Sequence, residues 1–243
     1  MPEGPSIVIL KELVQQFEGK KVTVVSGNAK IPIEKALDQK VISFKSWGKH
    51  FLICFKNFTF RVHLLMFGSY RINEEKDTAP RLSLKFKNGV LNLYSCSVKL
   101  IEEPLDDVYD WSGDIMSDCW DSISAKKKLQ AKPEMLVCDA LLDQDIFAGL
   151  GNIIKNEVLF RLKIHPLSKI GKLPARLLKQ LIDETRTYAF EFLDWKKKFE
   201  FKKHWLAHNK KICPRCDIPF IRQHLGTHNR RTFYCTNCQV LYE

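Results

Sequence analysis

The 243-residue chain contains no uninterrupted apolar run near the roughly 20 residues that a membrane-spanning helix requires. Its start lacks the basic-then-apolar order of a secretory signal: Glu3 comes first, and Lys11, Glu12 and Lys20 interrupt the apolar stretch. No internal repeat divides it. Acidic residues are in deficit, 28 Asp and Glu against 39 Lys and Arg, which leaves a formal net charge of +11. Such a field attracts polyanions, nucleic acid being the commonest; charge alone does not separate that reading from a membrane-surface or simply soluble protein. A hydrophobic content of 45% excludes a disordered chain and permits a packed core. Cys54, Cys96, Cys119 and Cys138 are scattered and expected to be reduced, in keeping with a cytoplasmic protein that has no membrane association. The other four cysteines are clustered.

Periodicity divides the chain. Ile7, Leu10, Val14 and Phe17 recur at helical spacing over residues 6–20, with Gly19 as a stop signal. Residues 21–101 change period, and short strands are expected at 21–25, 41–44, 51–55, 59–63, 70–72, 82–86 and 90–94, the pattern of a β-sandwich or barrel. Residues 102–124 are acidic and irregular and read as a linker. Helices are expected near 126–131, 134–142, 151–161 and 174–194, followed by a basic connector through Lys196–Lys198 and Lys202–Lys203. The fold class is α+β: an N-terminal helix plus β-sandwich over 1–120, a helical domain over 121–205, and a C-terminal four-cysteine segment over 206–243.

Three stretches carry chemistry. The first is Met1-Pro2-Glu3-Gly4-Pro5. An initiator Met before a small residue is normally trimmed, which would leave Pro2 as a secondary-amine terminus. An α-amino group of pKa about 7.7–8.0 is partly neutral at physiological pH and can act as a nucleophile. Glu3 could move its protons. On these residues alone, Pro2 and Pro5 merely stiffening the start remains open. The second stretch is Cys213-Pro-Arg-Cys216 with Cys235-Thr-Asn-Cys238, two CxxC knuckles around a hairpin expected at 219–222 and 232–234. Four thiolates in two chelating pairs suit one structural Zn2+, the alternative being disulfide or redox pairs. With so few residues to bury, metal binding would supply the folding energy of such a ribbon. The loop's Arg222, His224, His228, Arg230 and Arg231 suit an anionic partner. The third is the Gly149-Leu-Gly151-Asn152 turn, whose Gly151 and Asn152 N–H groups at a helix N-terminus could face a phosphate or be purely structural.

The Met-Pro-Glu-Gly-Pro start, the segment Asp143-Gln144…Ala148-Gly-Leu-Gly-Asn152…Glu157-Val-Leu-Phe160 and the four-cysteine ribbon together resemble the formamidopyrimidine-DNA glycosylase/endonuclease VIII family over residues 2–238. The resemblance implies a helix–two-turn–helix DNA-binding domain, a zinc-finger hairpin, and a bifunctional DNA glycosylase/AP lyase of base excision repair acting on damaged DNA as a monomer. It implies that Pro2 is the Schiff-base nucleophile, Glu3 its acid/base partner, and Lys49 a strand lysine on the phosphate flanking the lesion. Asn152 would hold phosphate at the turn. Arg230 is the zinc-finger arginine, with Arg231 as fallback because 18 residues rather than about 16 separate the knuckles. Leu65, Met66 and Phe67, within the 64–68 segment, align with the wedge that fills the space of a flipped nucleotide, although their apolar character suits a core equally.

The sequence departs from the family at Ser6, where many members have a pocket glutamate. The region 94–98 lacks the arginine–phenylalanine pair of the formamidopyrimidine branch, and the stretch from Phe192 to Cys213 leaves little room for a lesion-capping loop. These departures tilt the expectation to the endonuclease VIII branch and oxidised pyrimidines. An 8-oxoguanine/formamidopyrimidine enzyme and a catalytically silent zinc-ribbon DNA-binding protein are the alternatives. The ending five residues after Cys238 leaves no expected tail for partners or nuclear import.

Overall fold

The computed structural model describes residues 2–243, and Met1 lies outside them. The chain separates into two compact units, Met1–Asp110 and Trp111–Glu243, so the cysteine hairpin shares a unit with the helices.

The first unit begins with α1 (Gly4–Leu13), which starts two residues earlier than its apolar spacing suggests, since Pro5 fits the first turn where no N–H bond is needed. The helix stops at Leu13, and a 3-10 turn over Gln15–Phe17 completes the expected stretch. Ile7, Leu10, Val14 and Phe17 are all fully buried. Six strands follow: β1 (Val22–Ser26), β2 (Ser43–Trp47), β3 (His50–Cys54), β4 (Thr59–Ile72), β5 (Leu82–Phe86) and β6 (Gly89–Ile101), in the order β1-β5-β6-β4-β3-β2, every neighbouring pair antiparallel. The β-sandwich arises because β4 and β6 run through both halves of one ladder, and Phe51 and Phe60 of one half share a core with Leu84 and Phe86 of the other.

The segments expected as separate strands at 59–63 and 70–72 are thus one strand, broken by a bulge. Leu64 pairs with Cys96 and Ser69 with Tyr94, so four residues of β4 stand against Ser95 alone, whose φ is 48°. Gly68 makes the bulge possible: a Cβ there would lie 2.7 Å from the Leu65 nitrogen and 2.9 Å from Leu64 backbone atoms. The acidic linker is partly ordered. It contains the one-turn helix α2 (Leu105–Val108), and Tyr109 is buried with its hydroxyl 3.3 Å from His50 Nδ1.

The second unit holds α3 (Ser122–Gln130), α4 (Val137–Ala140), α5 (Asn152–Arg161), α6 (Ala175–Lys197) and the hairpin β7 (Ile221–Leu225) with β8 (Arg230–Tyr234). Asp121 caps α3 by accepting the N–H groups of Ile123 and Ser124. The 134–142 helix shrinks to α4. Leu150, Ile154, Val158, Tyr188 and Phe192 lie in the buried core of this unit. Among the described residues, no helix is long and apolar enough to cross a membrane.

Candidate functional site

In the first unit, Glu3 stands at the N-cap of α1 with extended backbone and is 1% exposed. Its carbonyl accepts the Ser6 N–H at 2.8 Å, and Ser6 itself is buried. Glu3 is thus the last residue before the helix. Pro2, half-buried, precedes it. The helix packs against β2 and β3, and the turn that joins those strands carries Lys49. The lysine expected on a strand is therefore at a hairpin tip: Trp47 pairs with His50, leaving Gly48 and Lys49 as a two-residue loop. Gly48 has φ 53°, the conformation such a turn needs at its first position.

Next to this tip lies a cluster of rings. His50 and His63 are cross-strand partners with centroids 5.4 Å apart, and Trp47 packs on both His50 and Tyr109. Burial, reinforced by Arg61, His63, Lys49 and Lys99, pushes the His50 imidazole down to about 3, so it is neutral at physiological pH. Just beyond His63, Leu65, Met66 and Phe67 are 50%, 58% and 84% exposed. Between the two sequence readings of this segment, the structure excludes core.

In the second unit the Gly149–Asn152 turn is held from inside. Gln144 donates to the Leu142 and Leu150 carbonyls and accepts the Gly149 N–H, and Gly151 is the N-cap of α5. The Asn152 side chain is buried and donates through Nδ2 to the Arg231 carbonyl at 2.9 Å, while its Oδ1 has no hydrogen-bond partner. All four residues of the turn, Gly149 to Asn152, are buried, and the Asn152 amide is turned to β8. Further along α5, Lys155 is fully buried and donates to Thr232 Oγ1 at 2.7 Å, and Thr232 in turn donates to the Arg230 carbonyl. Asn156 accepts the Phe233 N–H at 3.0 Å. Strand β8 is thus fixed at residues 231, 232 and 233 by one face of α5. Arg231 is exposed and Arg230 half-buried. Glu157, fully buried, accepts the N–H groups of Leu206, Ala207 and His208 at 2.8, 3.0 and 2.6 Å. Burial pushes its carboxyl above the ordinary range, with those three donors opposing the shift.

The ligand atoms of Cys213, Cys216, Cys235 and Cys238 all lie within 4.8 Å of one another, and none of the four is in a disulfide. Burial opposes the Cys235 thiolate, but the N–H groups of Cys238 and Asn237 and the neighbouring sulfurs outweigh it and bring that thiol down to about 7. Four converging soft donors, one already inclined to ionise, fit a tetrahedral zinc ion.

Two family models match: the formamidopyrimidine-DNA glycosylase N-terminal domain over residues 1–96 and the formamidopyrimidine-DNA glycosylase H2TH domain over residues 114–191. Endonuclease 8-like 2 of Bos taurus is 34% identical over 196 residues, covering 72% of this chain and 56% of that protein. The formamidopyrimidine-DNA glycosylase of Lactobacillus helveticus is 28% identical with both chains covered completely. The chain belongs to the formamidopyrimidine-DNA glycosylase/endonuclease VIII family. It spans about a third of the Endonuclease 8-like 3 proteins and about half of the Endonuclease 8-like 2 proteins that it matches. The fold of the family is shared with solved structures. A viral DNA glycosylase superposes with a TM-score of 0.84 at 20% identity, covering 98% of this chain and all of the other. A Lactococcus lactis formamidopyrimidine-DNA glycosylase bound to DNA containing an AP site gives 0.84 at 21% identity, covering 98% and 99%.

Within this family fold, Pro2, Glu3, Lys49 and the 65–67 loop occupy the first unit, and Gly151, Asn152, Arg230, Arg231 and the four cysteines the second. The sequence reading overlooked Lys155, Asn156 and Asp139 and treated Glu157 as motif alone. Their signal was available: Lys155-Asn156-Glu157 is a polar triplet inside an otherwise apolar helix, and buried polar groups need partners.

Proposed function

We propose that this chain is a bifunctional DNA glycosylase and DNA-(apurinic or apyrimidinic site) lyase of base excision repair, acting on oxidised bases with pyrimidines favoured. The observation that carries the reading is that Pro2 and the buried Glu3 begin a helix packed on β2 and β3, whose shared turn holds Lys49, beside the strand that exposes Leu65, Met66 and Phe67. With Met1 removed, the Pro2 nitrogen bonds to C1′ of the flipped nucleotide as the bond from C1′ to the damaged base breaks. Glu3 takes the proton that the Pro2 nitrogen loses on bonding and gives it to the ring oxygen as the sugar opens, leaving an iminium. That cation acidifies the 2′ proton; its loss expels the 3′ phosphate, a second elimination expels the 5′ phosphate, and water returns the amine. Flipping costs a few kcal/mol of unstacking, which the apolar loop offsets by filling the gap. Lys49, the Gly151–Asn152 turn and Arg230, or Arg231, hold phosphates and so fix register without reading sequence. One Zn2+ on the four thiolates would close the base of the hairpin.

Two features favour the endonuclease VIII-like preference. Strand β6 continues from Gly89 to Ile101 with no loop long enough to insert side chains opposite a lesion. The connector after α6 is short and tied to Glu157 at residues 206–208. The test is borohydride trapping on abasic duplex DNA. Wild type is expected to give a covalent adduct and Pro2→Ala none; an adduct of equal yield from Pro2→Ala defeats the mechanism. Excision from thymine glycol should exceed that from 8-oxoguanine in matched duplexes.

A further inference from the structure

The tip of the cysteine hairpin is held by a residue that belongs to none of the motifs above. The turn from Gly226 to Asn229 joins β7 to β8, closed by the Asn229 N–H on the Gly226 carbonyl at 3.1 Å. Two successive backbone N–H groups, those of Thr227 and His228, point at the Asp139 carboxylate, at 3.0 Å to Oδ2 and 3.3 Å to Oδ1. Asp139 lies on α4 and is 5% exposed. Successive N–H groups in a turn form a concavity suited to an anion, and here the chain's own carboxylate fills it. The approach is close enough to dictate the residue opposite. A Cβ on Gly226 would fall 2.3 Å from Asp139 Oδ1 and 2.7 Å from its Cγ, and Gly226 has φ 71°, so both contact and backbone require glycine.

We propose that Asp139 is a positioning residue for DNA binding: it anchors the hairpin tip so that Arg230 and Arg231, the first two residues of β8 beyond the turn, are presented to phosphate in a fixed orientation. The proposal rests on the DNA-binding reading above. Strand β8 is then held at both ends of its basic stretch, by Asp139 at the turn and by Asn152, Asn156 and Lys155 along the strand. A charge-assisted pair of hydrogen bonds to a buried carboxylate is among the stronger tethers a loop can have.

The experiment measures binding of the full, zinc-loaded chain to abasic-analogue duplex across a salt series, with amide hydrogen exchange on the free protein. Asp139→Ala should speed exchange at the Thr227 and His228 amides, weaken binding roughly tenfold, and reduce the slope of log K against log salt by about one, the signature of one lost phosphate contact. Asp139→Asn, which keeps one acceptor oxygen, should fall between. In an Arg230→Ala/Arg231→Ala background, adding Asp139→Ala should change affinity less than about twofold, because the groups it positions are gone. A merely structural carboxylate would cost the same affinity in both backgrounds, and that result, or amides still protected in Asp139→Ala, overturns the proposal. If wild type binds DNA without salt dependence, the DNA reading fails, and the exchange data still decide whether Asp139 holds the turn.

Discussion

Phe67 is the side chain at which stability and function separate most cleanly. A phenylalanine in a packed core loses about 3–5 kcal/mol on truncation to alanine, whereas one with 84% of its surface in solvent should lose no more than about 0.5 kcal/mol. Phe67→Ala is therefore expected to leave the melting temperature nearly unchanged. If the loop fills the gap left by a flipped nucleotide, excision from duplex DNA should fall well over tenfold, in line with an unstacking cost of a few kcal/mol. Cleavage of single-stranded substrate, which needs no unpairing, should fall much less. Equal losses on both substrates would remove the wedge role. The sequence left wedge and core open for 65–67 because apolar content does not report direction. Gly68 supplied the missing physical cause: only a residue without Cβ lets four residues of β4 stand off from one of β6.

At the scale of elements, the cysteine hairpin is more deeply tied to the helices than its spacing implies. By its length alone the hairpin has too few residues to bury a core, and metal would have to supply its folding energy. The four-cysteine grouping was legible, because two CxxC knuckles encode it locally. The shared packing was not, because Cys213, Phe220 and Cys235 bury against Phe160 and Ala207, partners that no local pattern announces. Arg215 stacks on the Phe160 ring and donates to the Phe160 carbonyl, and Gln239 joins the Cys235 N–H to the Ile164 carbonyl. Chelation should accordingly loosen the knuckles while α5 continues to hold β8. The expected outcome is faster amide exchange around residues 213–218 and 235–239, slower exchange kept at Phe233, and DNA affinity reduced but measurable. Complete loss of protection along β8 would show that metal alone maintains the hairpin. The strands were legible in most positions, though seven were expected over residues 21–101 where six are found. Their lengths were not, since β4 and β6 gain their extra residues from pairing with each other across the bulge, a long-range effect.

For the whole molecule, acid is the condition that both units should feel alike. Burial, as the largest cause in each case, lowers His50 to about 3 and His208 to about 4, and moves His63 and His165 below their ordinary value. A histidine that is harder to protonate when folded takes up its proton on unfolding. The stability associated with its neutral form is complete above the unfolded pKa of about 6.5 and is lost as pH falls towards the folded values. Glu157 acts in the opposite sense: its raised pKa means that folding favours the protonated carboxyl, so its contribution grows as pH falls through the carboxylate range. Four histidines against one glutamate set the direction between pH 6.5 and 4, and the melting temperature should decline over that window. His50 should dominate, being lowered furthest and enclosed by Trp47, His63 and Tyr109. His50→Gln keeps a side chain able to meet the Tyr109 hydroxyl but has nothing to protonate. It should be less stable than wild type at pH 7.5 and lose less stability on acidification, so that the two melting curves converge near pH 4. Parallel curves for wild type and His50→Gln would mean that the neutral imidazole is not what acid attacks first.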